Sequence, residues 1–246
     1  MFLLIGISKV FGQGFDWDYS ARLPYQIPSD FIGLNFDYGV ISNTGSFGFL
    51  EDFIECCEYK AGKGSSFGVS GVGEHWQNGG ISLIGGIGFL QNTSEFSTIV
   101  EVPRSDGKID YTSQYKYYLN ESRSYGNLLF GVKSRLGLSH FAYGILGNLK
   151  ILIHSQATHK EQILSPASEK FIDGSQTRVI QNGILSEYNK LIFTPELFVN
   201  YDYSLYLNYY ASIKVTADVP LMSVIQNQKW FEWKFGLSVS FYKAVK

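Results

Sequence analysis

The feature that most constrains the fold is an alternation of apolar and polar residues with a period of two. Over residues 231–241 every odd position is apolar, while the even positions between them are polar or glycine. Successive side chains of a β-strand point to opposite faces, so this pattern predicts a strand with one apolar face. The pattern recurs along the chain and predicts eight strands, which lie within 32–40, 66–74, 81–89, 127–133, 141–154, 191–201, 205–219 and 231–241.

The predicted connections alternate between short and long. Three are short turns, at 77–80, 136–140 and 202–204, whereas the other four are long, at 43–64, 92–124, 155–189 and 220–229. Short turns at one rim and long loops at the other are typical of barrels that cross a membrane with strands of about 9–11 residues. We therefore predict an all-β fold: a single eight-stranded antiparallel up-and-down transmembrane β-barrel with long outer loops and short periplasmic turns.

Composition favours this fold over a soluble one. Charged residues make up 17% of the chain, and the 246 residues include 26 Gly, 17 Tyr and 19 Phe. A soluble sandwich or lipocalin-like barrel would expose its polar face to water, but here that face is mostly Gly, Ser, Asn and Thr with few charges. Aromatic residues near the strand ends are expected to form interfacial girdles: Tyr38, Phe89, Tyr125, Tyr201, Trp230 and Trp233. Pro195, inside the sixth predicted strand, predicts a local bulge because a closed barrel has no edge strand.

The N-terminus predicts export. A short apolar run at 2–7 precedes Gln13–Gly14, and together they resemble the end of a secretory signal peptide. We expect residues 1–13 to be the remnant of that peptide and residues 14–246 to be the single barrel domain. An ordinary first strand is the alternative interpretation of the run.

If the apolar face meets lipid, the polar face fills the lumen. An eight-stranded barrel is only wide enough for side chains to fill it, and buried charges need partners. The predicted inward face supplies five acidic and five basic residues, which predicts an ion-pair plug and not a conducting pore. These residues are Asp37, Glu74, Lys133, Arg135, Lys150, Glu196, Lys214, Asp218, Glu232 and Lys234.

Signals for catalysis and cofactors are weak. His154, on the predicted inward face, could reach Glu196, but such a histidine is more often a satisfied polar residue. No metal-ligand spacing, P-loop or dinucleotide fingerprint is present in the sequence. We therefore predict no enzyme activity, no catalytic residue, no metal and no cofactor. The net charge of −2 gives no electrostatic reason to expect a nucleic-acid partner.

Function is then expected in the long outer loops. The second loop combines tyrosines with Lys108, Lys116 and Arg123, a mixture that favours contact with proteins or glycans. Extensions of the barrel hairpins into water explain the same composition. A small pore or transport accessory is the alternative function, followed by a lipid-modifying barrel enzyme.

One local pattern carries a family resemblance. Cys56-Cys57 is followed by Gly62, Gly64, Gly68, Gly71, Gly73 and Glu74, and further on by Ser165-Pro166 and Thr194-Pro195-Glu196. Here the chain resembles outer-membrane β-barrel proteins of the Bacteroidetes/Chlorobi kind and, more distantly, the eight-stranded OmpA/OmpX-type domains. The resemblance implies location and fold: a barrel in the bacterial outer membrane, surrounded by lipid. It implies no catalytic residue. Besides the outer loops, we expect contacts with a protein partner in a larger envelope complex as the other seat of function.

The adjacent cysteines raise a question of redox state. Neighbouring Cα atoms lie about 3.8 Å apart, below the usual disulfide range of about 4.4–6.8 Å. A disulfide between Cys56 and Cys57 would therefore be strained and easily reduced. Our hypothesis is an oxidised pair in the first outer loop, and the rival is two free thiols packed beneath that loop.

Overall fold

The structure, a computed structural model, describes residues 29–51, 54–77, 80–105, 107, 110–136, 140–166, 168–183, 187–206 and 208–245. The predicted signal peptide, residues 1–13, lies outside these ranges. Within them no helix is both long and apolar enough to span a bilayer. The strands are β1 (Asp30–Glu51), β2 (Ile54–Gln77), β3 (Ile81–Ser105), β4 (Asp110–Arg135), β5 (Phe141–Ser165), β6 (Thr177–Gly183), β7 (Leu191–Tyr206), β8 (Tyr209–Asp218) and β9 (Lys229–Ala244).

The strands form one antiparallel sheet that closes into a ring. Each strand pairs with its neighbour in the order β4-β3-β2-β1-β9-β8-β7-β5, and the pairing of β4 with β5 closes the ring. β6 and β7 pair with successive parts of β5, at 157–162 and 141–151, so they are two halves of one interrupted strand. The ring therefore has eight positions, and the predicted fold class is confirmed.

Two of the predicted long loops are in fact paired strands. β1 and β2 stay paired up to Glu51 and Ile54, and β3 and β4 stay paired up to Ser105 and Asp110. Most of the segments predicted as long loops at 43–64 and 92–124 therefore belong to strands, and for the second of them the alternative of a hairpin extension is the one that the structure shows. These segments keep the period of two but exchange the apolar and polar faces, so they do not match the pattern of the membrane segments.

The half of the barrel next to the short turns, which we call the lower half, carries its apolar residues on the outer surface. On neighbouring strands β1 and β9, Tyr38 lies opposite Leu237 and Val40 opposite Phe235, and all four side chains are exposed. Nearly every second residue points outward in this way over 32–40, 81–89, 128–132, 141–145, 197–203, 209–215 and 233–241. We call this band the belt. A continuous exposed apolar band of this kind is the surface that a membrane barrel presents to lipid.

Beyond the belt, towards the long hairpins, the polarity of the two faces is reversed. The outward residues of β1 become Ser42, Thr44 and Ser46, while Phe47 and, from β2, Tyr59 point into an apolar core. This outer part is therefore organised like a soluble protein and is expected to stand in water. Tyr125 and Trp230 belong to this interior, being only 1% and 0% exposed, so their predicted place in an interfacial girdle is wrong.

The predicted bulge at Pro195 is also wrong. Pro195 pairs with Gly147 of β5 in an unbroken register. Its carbonyl accepts a hydrogen bond from Val219 just after β8 ends at Asp218, and the β7–β8 ladder begins at Glu196. Proline is tolerated here because its missing N–H lies on the side where the neighbouring strand has already ended.

Candidate functional site

The lumen at the short-turn end holds an ion-pair cluster centred on Lys133. Its Nζ lies 2.6 Å from Glu74 Oε1 and 3.1 Å from Asp202 Oδ2. Tyr210 donates its hydroxyl proton to Glu74 at 2.8 Å, and Asn200 donates to Asp202 at 2.7 Å. We call Glu74, Lys133 and Asp202 the lower cluster. All three side chains are buried, so each charge depends on these partners.

A middle cluster lies above it, made of Asp37, Lys150, Asp218 and Lys234. Lys234 Nζ lies 2.9 Å from Asp37 Oδ1 and 3.8 Å from Asp218 Oδ2, and Lys150 lies 3.3 Å from the same Asp218 oxygen. A cavity of about 30 Å³ beside this cluster has room for about one water molecule. The middle of the lumen is thus filled by charged side chains.

An upper cluster lies just above the belt. Arg123 lies 2.6 Å from Glu121 and forms a close ion pair with Glu232. Tyr188 donates to Glu121 at 2.9 Å, and the guanidinium stacks 4.8 Å from the Trp230 ring. The burial of Glu121 raises the pKa of its carboxyl, because the charged form has lost its water.

Aromatic layers close the lumen above and below these clusters. At the short-turn end, Tyr210 stacks on Tyr242 with ring centroids 4.5 Å apart and meets Phe31 edge-on at 4.9 Å. At the outer end, Phe47 stacks on Trp230 at 4.7 Å. Among the described residues, the three charged clusters therefore lie between two aromatic layers.

The structure places most of the predicted plug residues in these clusters. Lys214 is an exception: it is buried and, among the described residues, has no carboxylate within ion-pair distance. Glu196 also lies outside the clusters and accepts a hydrogen bond from Asn148 at 3.0 Å. Arg135 stacks 4.3 Å from Trp76 near the short-turn end. Glu232 does not lie in the middle of the lumen but pairs with Arg123 above the belt.

Sequence reasoning missed three members of these clusters. Asp202 was assigned to a turn, and Glu121 and Arg123 to a loop. Residues 115–125 carry a partial signal in the sequence: the odd positions hold Tyr115, Tyr117, Leu119 and Tyr125 together with Glu121 and Arg123, and Asn120, Ser122 and Ser124 lie between them. In the structure every odd position of this segment is buried. Arg123 is fully buried, so its predicted role in outer contacts is wrong.

His154 and the backbone of Cys56 also lie elsewhere than predicted. His154 is exposed and Glu196 is buried in the lumen, so the predicted route from His154 to Glu196 is wrong. A register shift between Ser124 and Tyr125, opposite 152–154, reverses the expected face of His154. The backbone at Cys56 lies in β2, opposite Phe49, and not in a loop. The cysteine side chains lie outside the described part of the chain.

The outer part contains an open cleft of about 570 Å³. β4 and β5 supply its floor with Tyr115, Glu161 and Ile163, and segment 168–176 covers one side. That segment is fixed by Glu169, whose two oxygens accept hydrogen bonds from Tyr115 at 2.7 Å and Ser113 at 2.5 Å. The cleft is of the size that small-molecule sites have in proteins.

The cleft is lined by equal numbers of cationic and acidic side chains, which differ in their hydrogen-bond and ion-pair partners. Its lining includes three cations (Arg104, Lys170, Arg178) and three acids (Glu161, Glu169, Asp173). Hydrogen bonds from Ser113 and Tyr115 lower the pKa of Glu169, and burial raises the pKa of the Tyr115 hydroxyl. At neutral pH the carboxylate is thus charged and the phenol is a donor.

In the described residues, no group of three or more His, Cys, Asp or Glu side chains is arranged to hold a metal ion. The sequence matches no protein-family model and no curated protein.

Several solved structures show a loose likeness to the whole chain. The attachment invasion locus protein Ail of Yersinia pestis, in complex with the heparin analogue sucrose octasulfate, is 11% identical; the match covers 86% of this chain and 99% of that one, with a TM-score of 0.30. A FadL homologue of Pseudomonas aeruginosa is 7% identical over 89% and 91%, with a TM-score of 0.27. The translocator domain of the autotransporter NalP from Neisseria meningitidis is 11% identical over 98% and 94%, with a TM-score of 0.21.

Likeness at this level carries no argument about function. All three matches have a TM-score of 0.30 or less. The membrane-barrel fold therefore rests on the chain's own closed ring and on its apolar belt.

Proposed function

We propose that this chain is a bacterial outer-membrane protein with a closed barrel, and that it acts through its outer part as a non-enzymatic interaction component. The observation that carries the proposal is the reversal of polarity along the barrel. Below the reversal the strands make a lipid-facing belt around a filled lumen. Above it, the same strands build a water-facing structure with its own apolar core and an open cleft.

The filled lumen supports a role other than conduction. The lower, middle and upper clusters occupy successive levels, and aromatic layers lie at both ends. Opening a path would require separating buried ion pairs, each of which would cost about 3–5 kcal/mol if broken. A small pore or transport accessory would need such a path.

Single-channel recording tests the closed lumen. The full chain, inserted into a planar bilayer, is expected to give no stepwise conductance at voltages where a porin, inserted in parallel, gives discrete steps. A matched variant, Trp230→Gly, removes the largest side chain of the upper aromatic layer. Regular ohmic steps from the unaltered chain would overturn the closed-barrel proposal.

The proposed interaction role needs a separate test. Deleting 101–114, with an Asn-Gly turn in its place, shortens the β3–β4 hairpin but leaves the register below it intact, because 100 and 115 are paired. Affinity purification from solubilised envelope is expected to recover a stoichiometric partner with the full chain and less of it with the shortened one. Equal recovery of every envelope protein by both chains, or no stoichiometric partner with either, would contradict the role of the outer part.

Location in the bacterial outer membrane is part of the same proposal. A barrel of this kind needs every backbone polar group paired within lipid, and the closed ring provides this. The likeness to the Bacteroidetes/Chlorobi barrels remains a resemblance in sequence pattern. Fractionation of the envelope, followed by detection of this chain with the outer-membrane fraction, is the direct test.

A further inference from the structure

The outer cleft is rich in hydrogen-bond donors that the protein itself does not use. Arg104 donates from Nη2 to the Tyr115 hydroxyl at 3.1 Å, and Arg178 donates from Nε to Glu161 at 2.7 Å. A guanidinium has five N–H groups in a planar fork, so each arginine has donors left over. In the described part of the chain, neither Arg104 nor Lys170 has a carboxylate within ion-pair distance.

Each acid of the cleft, in contrast, already accepts hydrogen bonds from the protein, and only Asp173 Oδ2 has no donor among the described residues. Glu161 accepts from Tyr117 at 2.8 Å on one oxygen and from Arg178 on the other. Glu169 is held on both oxygens by Ser113 and Tyr115, and Asp173 accepts from both the N–H and the hydroxyl of Ser175. The N–H groups of Arg104 and Arg178 that have no acceptor among the described residues can therefore donate to a ligand.

An apolar wall lies beside these donors. Phe171 lies under the Arg178 guanidinium, which is 4.6 Å from the ring centroid, and Ile163 is buried in the floor. A guanidinium stacked on an aromatic ring keeps its N–H fork in a fixed plane, a geometry that suits carboxylate and phosphate groups. The wall and the donors together fit a small molecule with an anionic group and an apolar body.

We propose that the outer cleft binds a small free organic anion: its carboxylate or phosphate group accepts hydrogen bonds from Arg104 and Arg178, and its body packs against Phe171 and Ile163. This inference rests on the proposed function, because it requires the outer part to stand in water. A polyanion fits less well, because the three acids in the lining bring the net charge of the cleft to zero.

Calorimetric titration of the full chain in lipid nanodiscs tests the proposal, with empty nanodiscs as the blank. The probes are benzoate, phenyl phosphate and the neutral benzamide. Each is raised to about 10 mM, so a complex with a dissociation constant well above about 10 mM escapes detection. We expect saturable binding of one or both anions and binding of benzamide that is at least about tenfold weaker. The preferred anion shows whether the site takes a carboxylate or a phosphate.

Two variants and a matched control locate the site. Arg104→Gln is expected to weaken binding of the anion roughly tenfold, as expected for one hydrogen bond to a charged group. Arg104→Lys keeps the charge but loses the fork, so a smaller loss is expected. Lys63→Gln removes one cation from an exposed position on β2 outside the cleft and should leave binding unchanged.

Two results would overturn the proposal: no saturable binding of either anion, or equal binding by the Arg104→Gln and Lys63→Gln variants. Each variant is first checked for folded, heat-modifiable migration, so that loss of binding is not loss of the barrel. Because conductance and partner recovery are measured without these probes, a failure here is distinguishable from a failure of the proposed function.

Discussion

Two buried lysines in one lumen should respond to the same substitution with very different changes in unfolding free energy. Lys133 is held by two buried carboxylates, at 2.6 Å from Glu74 and 3.1 Å from Asp202. Lys214 is equally buried but, in the described residues, has no carboxylate within ion-pair distance. Replacing each with Met keeps much of the volume and removes only the charge.

The expected magnitudes follow from these contacts. Among the described residues, Lys133→Met leaves Glu74 and Asp202 with one neutral donor each, from Tyr210 and Asn200, and with the charge of Arg135, which acts on both carboxylates. Losing a buried partner of this kind costs about 3–5 kcal/mol of unfolding free energy. Lys214→Met breaks no ion pair among the described residues, and Glu196, on which the charge of Lys214 acts, keeps its hydrogen bond from Asn148. We therefore expect a change within about 1 kcal/mol, or a small gain.

Reversible urea unfolding in lipid vesicles, followed by tryptophan fluorescence, measures both changes. A triple variant, Lys133→Met with Glu74→Gln and Asp202→Asn, removes the stranded charges and should recover at least half of the loss. Equal destabilisation by the two single variants would refute the reasoning, because the ion pairs would then contribute nothing beyond the buried side chain. No recovery in the triple variant would refute it as well.

Three further predictions test the faces of the barrel, its closure and its cysteines. Leu237→Arg puts a charge on the belt and should lower the free energy of unfolding by about 2–4 kcal/mol near the bilayer midplane. A lipid-soluble thiol reagent should label Leu237→Cys but not Ser238→Cys, and the reverse labelling would mean that the two faces are exchanged. Unboiled samples should migrate differently from boiled ones on gels, since a closed ring offers detergent no edge, and identical migration would contradict closure. If Cys56 and Cys57 form a disulfide, thiol reagents should label neither in the unfolded, unreduced protein, and quantitative labelling of both would exclude it.

How far the sequence alone predicts this protein can be judged from β9. Its alternation over 231–241 fixed the strand, its two faces and the position of Leu237 in the belt, all of which the structure confirms. These are local properties, because in any strand the side chains at i and i+1 point to opposite faces. The same local signal, followed through 115–125 with its polarity reversed, would have predicted the extended hairpin of β3 and β4.

The ion-pair partners could not be predicted in the same way. Lys133 meets Asp202 across 69 residues of sequence, and Arg123 meets Glu232 across 109. Which inward residues reach the same level of the lumen depends on the register of every strand between them, and a single shift, such as the one at Ser124, reverses the faces beyond it. The outer cleft depends in addition on how segment 168–176 folds back onto β4, through the contacts of Glu169 with Ser113 and Tyr115.

The sequence by itself thus determined the strands, their lipid-facing side and the polar character of the lumen, because these follow from side-chain direction within one strand. Only the tertiary structure decided which charges pair, which side chains fill each level of the lumen and how the cleft is lined. Those features are contacts between residues far apart in the chain, and they exist only once the ring has closed in one register.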